Sequence, residues 1–506
     1  MLYPLFITTL KTLLVLFIIL AIYFILVYVF YTKWKLSFYS KQGLKPFFFP
    51  LTGINNRGAK SQKLFKDNMA HYKNLAESEP NVRAEVGNTG KNISILLFDP
   101  KLIKDFYAKQ NYYQKTRILQ TMREIMGTGL VLAEGNLWKN HRKIISSRFH
   151  FEFLKDNIPS ITATTREFLN ELAKAPLKRV NILDEVQKIT GEVVGRIFFG
   201  ENLNKYKFKG QLLTLYLAGL MARATSGLRR NYFVRFAFIL GLNLEIIPSY
   251  RVLLNEIKEF RQFCFKIIKD RKDSGVKGKG HDLLGVLLET QNNSSPEDRF
   301  TDEDIINEFI TFFIAGMDTT GNLINMTLYL LQANPQSFEK LMEEIKTVYN
   351  KTEPVTIENL NQMEFLHSIL KETLRLYTPV PVIFPRKAQA DHMLGDIYIK
   401  KGTSVRPTPI FNHANPNYFK EPRKFKPERW LNKKEQEIDA FVFTPFSAGA
   451  RNCIGQHLAM IEAKIVICEF IKMFKFEMSE KDYDLRMAFN FTYRPKQDIC
   501  MDLQLK

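Results

Sequence analysis

A chain of 506 residues that is 45% hydrophobic can build a large packed core. That excludes a small disulfide scaffold and a wholly disordered chain. Lys and Arg number 72 against 52 Asp and Glu, so the net charge is +20. Such a basic surface suits anionic lipid or an acidic protein partner. Nucleic acid is not suggested, because no zinc-finger spacing and no long basic run interleaved with aromatics occurs. The four cysteines, Cys264, Cys453, Cys468 and Cys500, form no CxxC pair, which places most of the chain in a reducing compartment.

Thr12 to Tyr31 is a run of 20 uncharged, mostly apolar residues, long enough as a helix to span about 30 Å of hydrocarbon. Tyr23, Tyr28, Tyr31 and Trp34 suit an interface. Lys33 and Lys35 follow it where a cleaved signal peptide would have small residues. Lys41 and Lys45 extend the positive side, and only Lys11 precedes the span. The expectation is an uncleaved single-pass anchor over 1–35, with the bulk of the chain cytosolic and the endoplasmic reticulum as default membrane. Pro46, Pro50, Gly43 and Gly53 then predict a turn-rich connector over 36–53.

Helical periodicity dominates the remainder. It predicts helices over 282–289, 335–349 and 359–376, and a long one over 301–334. Thr301 with Asp304 resembles its N-cap, and Asn334-Pro335 ends it. This helix is apolar almost all round and should thread the core. A second membrane span is the alternative, but Glu308, Asp318, Asn322 and Asn325 interrupt it. Leu212 to Ile247, apolar and punctuated by Arg223, Arg229, Arg230 and Arg235, reads either as a bilayer-facing segment or as a core helix pair. Strands are few: 93–97, 397–399, 403–405 and 498–503. The fold class is mostly α with a small β region.

Trp138 and Arg142 stand at i, i+4 on one helix face and can donate to one anionic group. His141, between them, reads as a solvent-facing helix position. Ala315-Gly-Met-Asp318-Thr319-Thr320 sits midway along the long helix. A mid-helix Gly costs about 1 kcal/mol, and buried hydroxyls and a carboxylate are costly unless used. Glu372 and Arg375 share a helix face. Phe446-Ser-Ala-Gly449-Ala-Arg451-Asn-Cys453-Ile-Gly455 has what a haem-bound thiolate needs. Gly449 and Gly455 let backbone approach, and Phe446 shields the sulfur. Arg451 offers a cation to a propionate. A helix beginning just after Cys453 turns its amides to the thiolate.

This last stretch resembles the cysteine-ligand loop of the cytochrome P450 family, Phe-x-x-Gly-x-Arg-x-Cys-x-Gly, at every fixed position. The resemblance covers about residues 36 to 506. It implies the P450 fold with 54–506 as the haem-thiolate catalytic domain, non-covalent haem b on Cys453, and dioxygen as co-substrate. Asp318 and Thr319 match the oxygen-activation motif as acid and proton donor. Trp138 and Arg142 match a propionate-binding motif, and Arg386 stands where another propionate partner is often found. Glu372, Arg375 and Arg429 match a buried structural network. Trp430 beside Arg429 keeps an aromatic where the family more often has Phe. Ala315 replaces the Glu that esterifies haem in some fatty-acid ω-hydroxylases. With no phosphate-loop or Gly-x-Gly-x-x-Gly motif, electrons are expected from NADPH–cytochrome P450 reductase, with cytochrome b5 as a second donor. Phe312, Ala315, Val382, Ile383 and Phe491 predict an apolar pocket for a lipophilic substrate. The implied activity is monooxygenation. The alternatives are a haem-thiolate isomerase or synthase acting on a peroxide, and a haem sensor without turnover.

Overall fold

The longest element of the computed structural model is the helix Asp302–Ala333. Thr301 Oγ1 accepts the Asp304 amide while the Asp304 side chain accepts the Thr301 amide, a reciprocal cap. The structure describes the whole chain apart from residues 1, 51–52, 117–118, 231–232, 235, 238–241, 274–281, 294, 296–297, 350–353 and 432–437. Leu51 and Thr52 of the connector, and Arg235, therefore lie outside the described residues, as do the side chains of Arg229 and Arg230.

Helices dominate and the sheets are small, the largest having six strands. The long helix is buried along most of its length and packs closely on the helix Ile182–Phe199. Gly316 has its reason at that crossing, since a Cβ there would come 2.5 Å from Val194 Cγ2. The glycine lets the two helices approach.

The helix expected over 359–376 is two helices, Ile357–Gln362 and Glu364–Tyr377. Glu344 explains the break. Its carboxylate accepts the amides of Phe365 at 2.7 Å and Leu366 at 2.9 Å. Those amides are free only at a helix start, so a side chain from another helix caps a new one.

At the N-terminus, Leu2–Ile25, a π-helical turn (Leu26–Tyr31) and Thr32–Ser40 follow without a break. Among the described residues this is the one helix long and apolar enough to cross a membrane. The helix passes the expected boundary at residue 35. Leu36 and Tyr39 are buried against the largest sheet's hydrophobic cluster, and Tyr39 Oη is 2.7 Å from Thr403 Oγ1. Part of the connector is also ordered, because Lys45–Phe47 pairs in parallel with Ala84–Thr89. Apolar contacts with the sheet stabilise a segment whose Pro and Gly content suggested only turns.

Glu372 anchors the lower core. Its fully buried carboxylate accepts from Arg375 Nε and Nη2 at 2.9 and 2.8 Å, from Arg429 Nε at 2.9 Å and from the Lys426 amide at 2.9 Å. Burial alone would push its pKa up; Arg375, Arg429 and the amide more than offset that and hold it below the usual 4.5. The stabilisation is therefore present above about pH 4.5 and is lost as pH falls below it. Trp430 does more than keep an aromatic in place. Its indole Nε1 donates to Glu372 Oε2 at 2.9 Å, a bond Phe cannot make. Trp430→Phe should cost about 2 kcal/mol, typical of a hydrogen bond to a buried charge, read as a lower guanidinium midpoint.

Candidate active site

Cys453 follows a tight turn. Its amide donates to Phe446 O at 2.9 Å, and Gly449 in that turn has φ 70°, where Tyr107 and Gln110 leave no room for a Cβ. The helix Gln456–Met473 begins just beyond. Cys453 is surrounded by protein yet presents its surface to a cavity. Burial pushes its thiol up, against the Gly455 amide and the Arg142 charge. The Gly455 amide and Arg142 favour the thiolate and burial opposes them; a bound metal cation would favour it further.

Phe446, Ile454, Gly455 and Leu458 line the cavity on the cysteine side, and Phe312, Ala315, Gly316 and Thr319 line it from the long helix. Of the five predicted pocket residues, Phe312, Ala315 and Ile383 contribute to the lining; Val382 and Phe491 do not. Val382 is buried in the core and Phe491 packs on it. Thr319 Oγ1 donates to Ala315 O at 2.6 Å, so its hydroxyl is bonded back to its own helix. Asp318 lies outside the lining. Gln187 Nε2 donates to it at 2.8 Å and Thr492 Oγ1 at 2.7 Å.

One wall of the cavity gathers cations. Arg386, Arg142 and Arg451 line it, and so does Lys115, which the sequence reading missed. Strand register puts Lys115 directly opposite Arg386, an unfavourable pairing for like charges. Lys115 Nζ donates to Ala133 O at 2.9 Å, and so does Arg451 Nη1 at 2.7 Å. The Arg451 guanidinium lies 4.1 Å over the Trp138 ring. Arg142 donates twice to Asn452, both at 3.0 Å. Among the described residues no carboxylate lies within ion-pair distance of these four cations; Glu134, which accepts the Lys115 amide, only partly offsets the charges of Lys115, Arg386 and Arg451. Burial, with Arg451 and Arg386 nearby, pushes Lys115 down to about 6. Burial beside Arg386 likewise holds Arg451 down to about 10.

Two further groups carry information. Glu462 also lines the cavity, and burial pushes its carboxyl well up, with Oε1 unpartnered. It stands seven and three residues beyond Gly455 and Ala459 on the same helix face, a spacing visible in the sequence. His141 is not solvent-facing. It is buried, stacks on Phe300, and its Nδ1 is 2.8 Å from Glu308 Oε1. The partner that makes its burial tolerable comes from the long helix, 167 residues away, so the local pattern misled.

An apolar, planar group with two carboxylates at one edge meets these demands together: apolar walls, a cationic rim and a sulfur aimed inward. Haem is such a group, which defines a haem-thiolate protein. The cytochrome P450 family profile matches residues 45–500, and the chain belongs to that family. It is similar to a cytokinin hydroxylase of Arabidopsis thaliana, 30% identical with 82% of this chain and 79% of that protein covered. Cytochrome P450 4V2 of Mus musculus is 26% identical over 81% of this chain and 80% of that one. The haem domain of cytochrome P450DA shares the fold, with TM-score 0.77 at 20% identity over 92% of this chain and 98% of that chain. The protein is therefore a monooxygenase that uses dioxygen, carries haem iron on a cysteine thiolate, takes electrons from a redox partner and binds a small-molecule substrate.

Lys115 gives this site a pH signature. Without haem, Lys115 is neutral above about pH 6 when folded but takes up a proton on unfolding up to its usual 10.5. The haem-free protein should therefore gain stability from this group as pH rises across that window. Propionates beside Lys115 should abolish that gain. Lys115→Met should weaken haem retention by about tenfold or more, measured as haem transfer to apomyoglobin.

Proposed function

We propose that the chain inserts one oxygen atom of dioxygen into a lipophilic small molecule, on non-covalent haem b ligated by Cys453. The observation that carries this is the placement of the Cys453 sulfur and the Ala315–Thr320 stretch about one apolar cavity, with a cationic rim to its side. Ala315 has no carboxyl to form an ester with haem, which supports non-covalent retention. Arg451, Arg386, Trp138, Arg142 and Lys115 would hold the propionates. When bound, the haem supplies an iron centre at which dioxygen is reduced and activated.

The chain's own residues supply the setting. Phe446 and Ile454 keep water from the sulfur. Phe312, Ala315 and Ile383 give the substrate an apolar surface and exclude water from the reacting carbon. Thr319 holds a hydroxyl at the cavity. To deliver a proton there it leaves its bond to Ala315 O and rotates inward. Asp318, next to it, resupplies that proton. The basic surface fits NADPH–cytochrome P450 reductase, with cytochrome b5 as a second donor. The N-terminal helix supports membrane anchoring, with lysines after it that favour a cytosolic catalytic unit at the endoplasmic reticulum.

The first test is the absorption spectrum of the reduced, CO-bound protein. A strongly red-shifted Soret band that disappears in Cys453→Ala is expected; an ordinary haem–CO band in the wild type would overturn thiolate ligation. Turnover that consumes NADPH with substrate separates monooxygenation from an isomerase, which would convert a hydroperoxide without reductant, and from a sensor, which would do neither. Thr319→Ala should keep the red-shifted band but release more hydrogen peroxide per NADPH. An unchanged ratio would remove Thr319 from proton delivery.

A further inference from the structure

Asp318 precedes Thr319 by one residue, yet its carboxylate is turned out of the cavity and into a hydrogen-bonded cluster. Gln187 Nε2 serves Oδ1 at 2.8 Å and Thr492 Oγ1 serves Oδ2 at 2.7 Å. Arg494 Nη1 lies 3.4 Å from Oδ1. Two of these three partners come from the hairpin of Met487–Phe489 and Tyr493–Pro495.

That hairpin is clamped at Tyr493. Extended backbone alternates its side chains, so Thr492 and Arg494 reach Asp318 while Tyr493 goes the other way. Tyr493 Oη donates to Asp67 at 2.5 Å and accepts from Lys73 Nζ at 2.7 Å. The Tyr493 amide donates to Pro379 O at 2.9 Å, and its carbonyl accepts from Asn322 Nδ2 at 2.7 Å. Pro379 lines the cavity, and Asn322 is one helical turn beyond Asp318. One short hairpin thus touches the cavity wall, the long helix and the acid. The Asp318 side chain is 4% exposed and that of Arg494 is 25% exposed, so Arg494 is where this cluster meets solvent.

We propose that Arg494 and Thr492 are positioning residues for Asp318: they hold its carboxylate out of the cavity and beside solvent, so that the hairpin governs when Asp318 can turn toward Thr319. The proposal rests on Asp318 resupplying the proton, as argued above. Arg494 does not itself release a proton, because guanidinium stays charged throughout the working range. Water along its exposed side brings the proton to Asp318, and Asp318 passes it on after the Thr492 bond frees Oδ2, because Oδ1 stays held by Gln187 as well as Arg494. Both carboxylate oxygens are engaged, so no turn is free of that step.

The test uses the full-length, haem-loaded protein with NADPH and microsomal cytochrome P450 reductase in air. Asp318→Asn, Arg494→Gln, Arg494→Lys and Thr492→Val are each set against the wild type. NADPH consumption and its solvent isotope effect are read with reductase, and amide hydrogen exchange of 487–495 without it. Asp318→Asn should slow consumption by about 100-fold, the usual scale for a lost acid–base group, and speed hairpin exchange. Arg494→Gln and Thr492→Val should each slow it by about tenfold through misplacement and raise the isotope effect. Arg494→Lys, which keeps the cation, should recover to within about twofold of wild type. Slow Asp318→Asn beside wild-type Arg494→Gln and Thr492→Val would overturn the positioning role and leave the relay standing. Wild-type rates in Asp318→Asn would overturn the relay, and the positioning role with it. A slow Arg494→Gln that Arg494→Lys does not recover would also overturn it, since loss of packing would then explain the effect.

Discussion

A charge removed from water must be answered by a partner or it is driven neutral. This core buries several charges, and most are answered inside the chain. Glu372 has Arg375, Arg429 and an indole. Glu308 has His141 and the Leu130 amide at 3.0 Å. Asp318 has Gln187, Thr492 and Arg494. The cations of the cavity wall stand apart, because their nearest polar partners are carbonyls and a neighbouring Asn. Glu134 offsets them only in part, so an anionic ligand group would complete the balance. On the proposed reading these cations would meet the propionate edge of haem, on the same cavity that Cys453 and Thr319 line.

The buried pairs also divide the labour of holding the site. Glu372 ties the helix Glu364–Tyr377 to the loop bearing Arg429. The His141–Glu308 pair ties the helix bearing Trp138 and Arg142 to the long helix Asp302–Ala333. Each joins elements far apart in sequence, so the cavity is bounded by members fixed to one another rather than by one rigid frame. Breaking a buried pair from one side leaves a lone charge, which costs several times more than the pair contributes.

The turn before Cys453 and the long capped helix were legible in the sequence because each is local. Their residue types and spacings state what they need. What was hidden depended on contacts between distant segments. Lys115 looks like any surface lysine until strand register sets it opposite Arg386. His141 looks exposed until Glu308 is brought to it, and the break at Met363 is invisible without Glu344. Val382 and Phe491 have the right chemistry for a pocket, but apolar composition does not separate a lining residue from a core one, and both belong with the core. Gly316 shows a subtler gap: a mid-helix glycine signals that it has a reason, and here that reason is another helix, through Val194.

The unbroken helix from Leu2 to Ser40 carries a geometric consequence. A flexible tether fixes only a distance, but a helix couples distance to azimuth: each residue advances about 1.5 Å and turns about 100°. Tyr39 and Leu36 seat its far end in the sheet's apolar cluster, so that turn is handed on to the whole catalytic unit. The number of residues in this segment therefore sets which flank of the unit faces the surroundings of its first turns. One residue more would swing the catalytic unit by more than a quarter circle about the helix axis, and only particular lengths would return it to register.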